Sequence, residues 1–281
     1  MAGGGNITLK NSRIGIVYLL IFLIVTNHLS SALTKKRELL FFFDKIEING
    51  AVDVFVKPGT RNAEAFIYAD SSVIEEIGLN VRERTLFIEA NNTFDISRRL
   101  PFLKLSAERT FPVEIILHTK KLSELRLNGK GNLVISKIRT PKLSVHTTGS
   151  GRFHMEDSSI DHLSIRQDGI GPIVLKGQEV SSLELIVMNE GPILAQSLPV
   201  DRARIIHHGN GDIQINPIEF LDSRIMGAGN ILIHQKPENI VLTQKGLGRV
   251  VDIIPDTPKL YDFNATNPNP VNRQELRKIT E

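Results

Sequence analysis

At 281 residues with a formal net charge of +3, the chain is long enough for one sizeable domain or two small ones, and its 41% hydrophobic content can fill a core but is too low for a polytopic membrane protein. The absence of cysteine excludes disulfides, thiolate catalysis, cysteine-held metals and lipid attachment at an N-terminal cysteine. The positive charge is not gathered into a basic stripe with interleaved aromatics, which argues against nucleic acid as a partner.

In chain order, the first signal is Lys10 and Arg13 ahead of an apolar run from Ile14 to Val25, followed by Thr26-Asn27-His28 and then Ser30-Ser31-Ala32. A basic start, a short apolar stretch and a small-x-small site make a secretory signal peptide, with the cut expected after Ala32. The run is shorter than the roughly 20 residues of a spanning helix. Extension through Leu29 to Leu33 keeps an uncleaved N-terminal membrane anchor as the alternative reading of residues 1–32.

Residues 33–120 read as an irregular β region that caps a solenoid. Phe43 to Asn49 alternates apolar and polar residues, Gly50 turns the chain, Val52 to Val56 alternates again, and Pro58-Gly59 ends the unit. Ala65 to Ala69, Thr85 to Glu89 and Phe111 to Leu117 are further strands, Ser72 to Leu79 is expected to hold a short helix, and Asn91 to Arg99 is expected to loop.

Residues 121–254 carry a repeat. Gly-x-Gly recurs as Gly129-Lys130-Gly131, Gly149-Ser150-Gly151, Gly169-Ile170-Gly171, Gly209-Asn210-Gly211, Gly227-Ala228-Gly229 and Gly246-Leu247-Gly248, with Asn189-Glu190-Gly191 in the fourth place. The second glycines step by 20, 20, 20, 20, 18 and 19 residues. Apolar residues alternate on both sides of each corner, as in Leu183, Leu185 and Val187 before one and Ile213 and Ile215 after another. A fixed period of this length signals stacked coils. The expected fold is all-β, a right-handed parallel β-helix-like solenoid of about seven 20-residue rungs, with strands about 4.8 Å apart. The first corner position is expected to need φ > 0, which glycine reaches freely and asparagine tolerates. Residues 255–281, rich in proline and asparagine, read as a polar tail.

The stretch Phe43-Asp44-Lys45-Ile46-Glu47-Ile48-Asn49-Gly50 with Val52-Asp53-Val54 resembles the opening of the bacterial head GIN domain family, named for auto-transporter adhesins. Gly149-Ser150-Gly151 and Gly209-Asn210-Gly211-Asp212-Ile213 resemble the family's recurrent corners, so the likeness covers roughly residues 43–250. It implies the repeated fold and a role in surface adhesion, and it carries over no catalytic residues.

Read for chemistry, the corners lack the third glycine and the following helix of a dinucleotide loop. Their middle residues do not repeat, so no recurring metal site is expected. His207 and His208 are adjacent on a strand and point to opposite faces, one toward the core and one toward solvent. His146, His154, His162 and His234 lack ligand spacing. Asp168, Glu190 and Asp212 lie on successive turns but at different places relative to their corners, so they are not expected to converge as a catalytic pair. With Leu185 and Ile205 inside, Ile186, Met188, Ile206 and Met226 point outward on neighbouring rungs as a candidate partner or self-association surface. Asn6, Asn91 and Asn264 are glycosylation sequons, which matter only in a eukaryotic host.

The sequence thus reads as an exported, non-enzymatic β-solenoid of the bacterial envelope, in periplasm, outer membrane or cell surface, with no catalytic, cofactor or metal residues. An envelope protein or polysaccharide is the expected partner, and membrane contact is expected only through the N-terminal segment. The alternatives are a carbohydrate-active β-helix enzyme and a membrane-anchored accessory protein.

Overall fold

The computed structural model describes residues 33–59, 63–95, 108–253, 259–261 and 270–272. Almost every segment that alternates apolar and polar residues forms a strand. The first nine are β1 (Leu33–Leu39), β2 (Lys45–Gly50), β3 (Asp53–Pro58), β4 (Glu64–Asp70), β5 (Ile77–Arg82), β6 (Thr85–Ala90), β7 (Thr93–Asp95), β8 (Glu108–Thr110) and β9 (Val113–Thr119). The repeat region supplies β10 (Glu124–Gly129), β11 (Leu133–Ser136), β12 (Arg139–Thr147), β13 (Phe153–Gln167), β14 (Ile173–Gly177), β15 (Val180–Val187), β16 (Ile193–His207), β17 (Ile213–Ile225), β18 (Ile231–Ile233), β19 (Asn239–Gln244) and β20 (Val250–Asp252). Two short strands come last, β21 (Lys259–Tyr261) and β22 (Pro270–Asn272).

Two parallel columns build the molecule. In the first, β6, β2, β10, β12, the second half of β13, β15 and the second halves of β16 and β17 stack in that order, ending at β19. In the second, β9, β3, β11, the first half of β13, β14 and the first halves of β16 and β17 stack up to β18 and β20. A corner joins the columns on one edge of each coil, and a connector returns the chain on the other. The repeat region amounts to about six turns, the number that its seven successive corners bound.

Because the period matches the coil length, equivalent side chains pile up. Leu125, Val145, Ile165, Leu185 and Ile205 form one inward file, and Leu143, Leu163, Leu183, Ala203 and Leu221 form another, all fully or almost fully buried. A third file beside the corners is mixed: Leu127, Thr147, Gln167, Val187, His207 and Ile225 succeed one another. Gln167 donates to the Gly171 carbonyl at 2.6 Å, so the corner itself satisfies part of this buried polarity.

The corners need glycine for a reason other than the expected one. Only Gly50, at +114°, has φ in the region that disfavours side chains; the other described glycines do not. Each corner glycine instead lies directly on the corner beneath. A Cβ at Gly149 or Gly151 would fall inside 3.0 Å of the Gly129 or Gly131 carbonyl oxygen, and Gly169, Gly171, Gly209 and Gly227 meet the same obstacle. The constraint is close approach of backbones between coils, not the torsion of one residue. Asn189 takes the first place of its corner, and its side-chain amide donates to the Asp168 carbonyl below at 2.6 Å.

The N-terminal half enters the same stack. β2 and β3 form a coil whose corner is Gly50-Ala51-Val52, directly under β10 and β11. β6 and β9 form the coil beneath it. Antiparallel strands then close this end: β5 on β6, β4 on β9, and β1 outermost on β4. The helix expected over Ser72 to Leu79 is a single 3₁₀ turn, Ile74–Glu76, because the alternation of β5 begins at Ile77. The expected loop from Asn91 to Arg99 instead contains β7, which pairs antiparallel with β8. At the other end β21 adds antiparallel to β20 and β22 to β21, while most of residues 255–281, like all of residues 1–32, lie outside the described residues.

Candidate functional site

The outer face of the first column is where the sequence placed its candidate surface. Counting upward in register, one outward file reads Glu47, Arg126, His146, Arg166, Ile186, Ile206, Arg224. Ile186 and Ile206 are therefore direct neighbours, half-buried, with Arg166 below and Arg224 above. The file beside it, next to the corners, places Met188 under His208 and His208 under Met226, since Met188 N bonds to Gln167 O, His208 N to Val187 O and Met226 N to His207 O. The structure thus brings Ile186, Ile206 and Met188 together and puts His208 between the two methionines. Met188 is 40% exposed and Met226 is half-buried.

Fixed ion pairs surround this island. Below it, Asp168 Oδ2 takes bonds from Arg166 Nε at 2.8 Å and His146 Nε2 at 2.7 Å. Partial burial opposes ionisation of Asp168, but those two bonds outweigh it and hold the carboxyl below the usual carboxylate range. Lower still, Glu124 binds Arg126 at 2.8 Å and Lys45 at 3.6 Å. Above it, Asp222 lies 3.4 Å from Arg204 and 4.0 Å from Arg224. A groove of about 340 Å³ opens beside the island, between Glu184, Arg204, Phe220 and Asp222. Arg126, Arg166 and Arg224 were not singled out in the sequence, and His146 was weighed only as a metal ligand, although steps of 20 residues down from Ile186 land on Arg166, His146 and Arg126.

The three acids weighed for catalysis stay apart. Asp168 sits before its corner in the ion-pair cluster. Asp212 sits after its corner, and its Oδ1 accepts from Asn230 N and Nδ2 at 2.9 and 3.2 Å, clamping adjacent coils. Asp53 does the same for Asn132 at 2.8 and 2.9 Å. Glu190 is an exposed corner residue. Of the two adjacent histidines, His207 is fully buried and His208 exposed. Burial pushes the His207 pKa down and outweighs the raising effects of the Gly211 backbone and of Asp212. His234 meets Gln214 Oε1 at 3.1 Å, and burial lowers its pKa as well. Among the described residues no three His, Asp or Glu side chains gather as a metal site would require.

Residues 42–237 match the family model described as "Putative auto-transporter adhesin, head GIN domain". The chain belongs to this family. Solved structures share its fold at low identity. A Bacteroides fragilis protein described as a "putative adhesin" is 21% identical with a TM-score of 0.68, over 79% of this chain and 98% of its own. A Parabacteroides distasonis "putative lipid binding protein" is 19% identical with a TM-score of 0.59, over 80% and 98%. A Parabacteroides merdae "putative adhesin" is 19% identical with a TM-score of 0.54, over 80% and 98%. Among curated proteins nothing matches the sequence significantly. The head GIN repeat accounts for the corners, the parallel columns and the inward files, and the outer faces are where this chain differs in chemistry from coil to coil.

Proposed function

We propose that the protein is an exported, non-enzymatic head GIN solenoid of the bacterial envelope that works as an adhesin-like binding scaffold, with the Ile186, Met188, Ile206 and Met226 surface as its docking face for an envelope protein or a second copy. The observation that carries this reading is the apolar pair Ile186 and Ile206 held in register between Arg166 below and Arg224 above. Contiguous apolar surface with a charged rim is the composition of an interface. The neighbouring cations are already paired with Asp168 and Asp222, so the rim is held in place before a partner arrives. Asp168, Glu190 and Asp212 are separated, and two of them serve structural contacts, which favours a scaffold over a paired-carboxylate hydrolase.

The test is the double variant Ile186→Lys and Ile206→Lys in the full chain. It is expected to fold, because both residues face outward, and to lose self-association in sedimentation or capture of envelope proteins. Unchanged association and capture in a folded double variant would overturn the docking face.

A further inference from the structure

A second recess lies on the opposite edge of the coils, where the connectors run. It measures about 610 Å³ and is lined by Pro58, Lys137, Arg139, Asp157, Ser159 and Gln178, with Gly177 as part of its floor. These residues come from four coils stacked in succession, because β3 pairs with β11, β11 with the first half of β13, and that half with β14. The recess therefore runs along the stack over three steps of about 4.8 Å, which suits an elongated ligand. Its volume falls in the range of ligand sites.

Three features set it apart from the first-column face. The cations there are tied to acids, whereas no ion pair engages Lys137 or Arg139 among the described residues. The backbone is also unusual. Lys137 and Asp157 have φ of +58° and +48° although neither is glycine. The other two such residues, Glu83 and Arg84, make the tight turn between β5 and β6, where positive φ is the ordinary requirement. The connection after β14 is made without this torsion: the register shifts between Met155 and Ser158 against Leu175 and Gly177, and Gly177 has no positive φ. The two coils below thus carry an extra, bulged residue, and the bulge turns a long cation and a carboxylate outward at the place where glycine is usual. Bulges that re-aim side chains cluster at functional sites. Finally, exposed Asp157 and Gln178 and half-buried Ser159 supply neutral and anionic acceptors beside the two cations.

We infer that this recess binds an acidic oligosaccharide lying along the stack. Lys137 and Arg139 pair with its carboxylate or sulfate groups, while Asp157, Ser159 and Gln178 accept from and donate to its hydroxyls. The inference deepens, and rests on, the reading of the protein as a non-enzymatic binding scaffold. A simple anion would leave Asp157 facing like charge, and a neutral sugar would leave the two cations unpaired; a sugar acid satisfies both sets.

The test is calorimetric titration of the full chain with a hexamer of galacturonic acid, a neutral maltohexaose and a hexaglutamate peptide. The sugar acid is expected to bind at least tenfold more tightly than either comparison ligand. Lys137→Gln with Arg139→Gln should weaken it at least tenfold. Asp157→Asn, which tolerates the same torsion, should also weaken the sugar acid, because one acceptor for its hydroxyls is lost. The charge-matched Lys176→Gln, outside the recess, should bind as the parent does. No binding of the sugar acid, equal binding of hexaglutamate, or full affinity in a folded Lys137→Gln/Arg139→Gln chain would overturn the inference. Shortening of the hexamer during the titration would overturn the scaffold reading while leaving the site in place.

Discussion

The stacking of corner backbones makes a sharp prediction for Gly149→Ala. At this position φ is not in the positive region, so alanine meets no torsional penalty. What it meets is the Gly129 carbonyl, because its methyl would lie inside the 3.0 Å that real Cβ atoms keep. Backbone cannot swing aside as a side chain can, so the two coils must part locally. The bonds at risk are Gly151 N to Gly129 O and Thr148 N to Leu127 O below, and Ile170 N to Gly149 O and Gly169 N to Thr147 O above, each at 3.0 Å. Loss of two to four such bonds, at a net value of about 1 kcal/mol each with a larger cost where a buried group is orphaned, amounts to roughly 3–6 kcal/mol. At about 2–4 °C per kcal/mol for a domain of this size, the thermal midpoint should fall by roughly 6–24 °C. The control is Gly78→Ala in β5, where the nearest atom to the new methyl is Glu89 O at 3.8 Å. That change should be neutral or stabilising by about 0.5–1 kcal/mol, since glycine weakens a strand interior. Far-UV circular dichroism during heating reads both. Midpoints of the two variants within about 2 °C of each other, an interval taken from the same scale, would refute the stacking argument.

Two further outcomes come from the inward files. His207 is buried and its pKa lies below the usual 6.5, so the unfolded chain binds a proton that the folded chain resists. Stability should therefore be full above pH 6.5 and fall as pH drops from there toward the folded pKa, by at most about 1.4 kcal/mol per pH unit. His207→Val, which places in this position the residue type of its stack neighbour Val187, should flatten that slope, leaving the smaller part due to His234; urea midpoints at pH values about one unit either side of 6.5 check it. Leu185→Ala should cost about 2–5 kcal/mol, because the side chain is fully buried between Ile165 and Ile205, while Ile186→Ala, one residue on and facing outward, should cost clearly less; equal losses by chemical denaturation would mean that the alternation has been assigned to the wrong faces.

The repeat region was readable because one physical condition acts on it at every coil. Backbones that pass this close exclude Cβ, so glycine recurs at the period of the coil, and the inward files force Ile, Leu and Val to recur with it. The sequence could therefore reveal that the corners are special, while the cause it suggested, positive φ, belonged only to Gly50. The outward surface was partly readable: Ile186 and Ile206 emerge from the same alternation, and the cation file below them obeys the same 20-residue step. The connector recess was not, because nothing in the residue types Lys137 and Asp157 announces a bulge with positive φ.

The N-terminal coils were hidden for a topological reason. After β3 the chain turns to the other side of this coil, makes β4, β5, β6 and β9 there, and only then returns to lay β10 on β2 and β11 on β3. The coil of β2 and β3 thus sits between one formed later, β6 with β9, and one formed later still. No fixed period can register such a detour, and Val52 stands where the later corners have their second glycine. The cost of the detour is the closure of long loops: the Ser123 hydroxyl bonds to the Asp44 carbonyl at 3.0 Å across 79 residues, whereas neighbouring coils in the repeat region close over about 20. Loop closure must precede the contacts that reward it, so the detour costs more chain entropy than a 20-residue coil does. The three antiparallel strands beyond the N-terminal coils then end the parallel columns, and β1, the outermost of them among the described residues, carries Lys35, Lys36 and Arg37, a charged pattern that discourages edge-to-edge pairing.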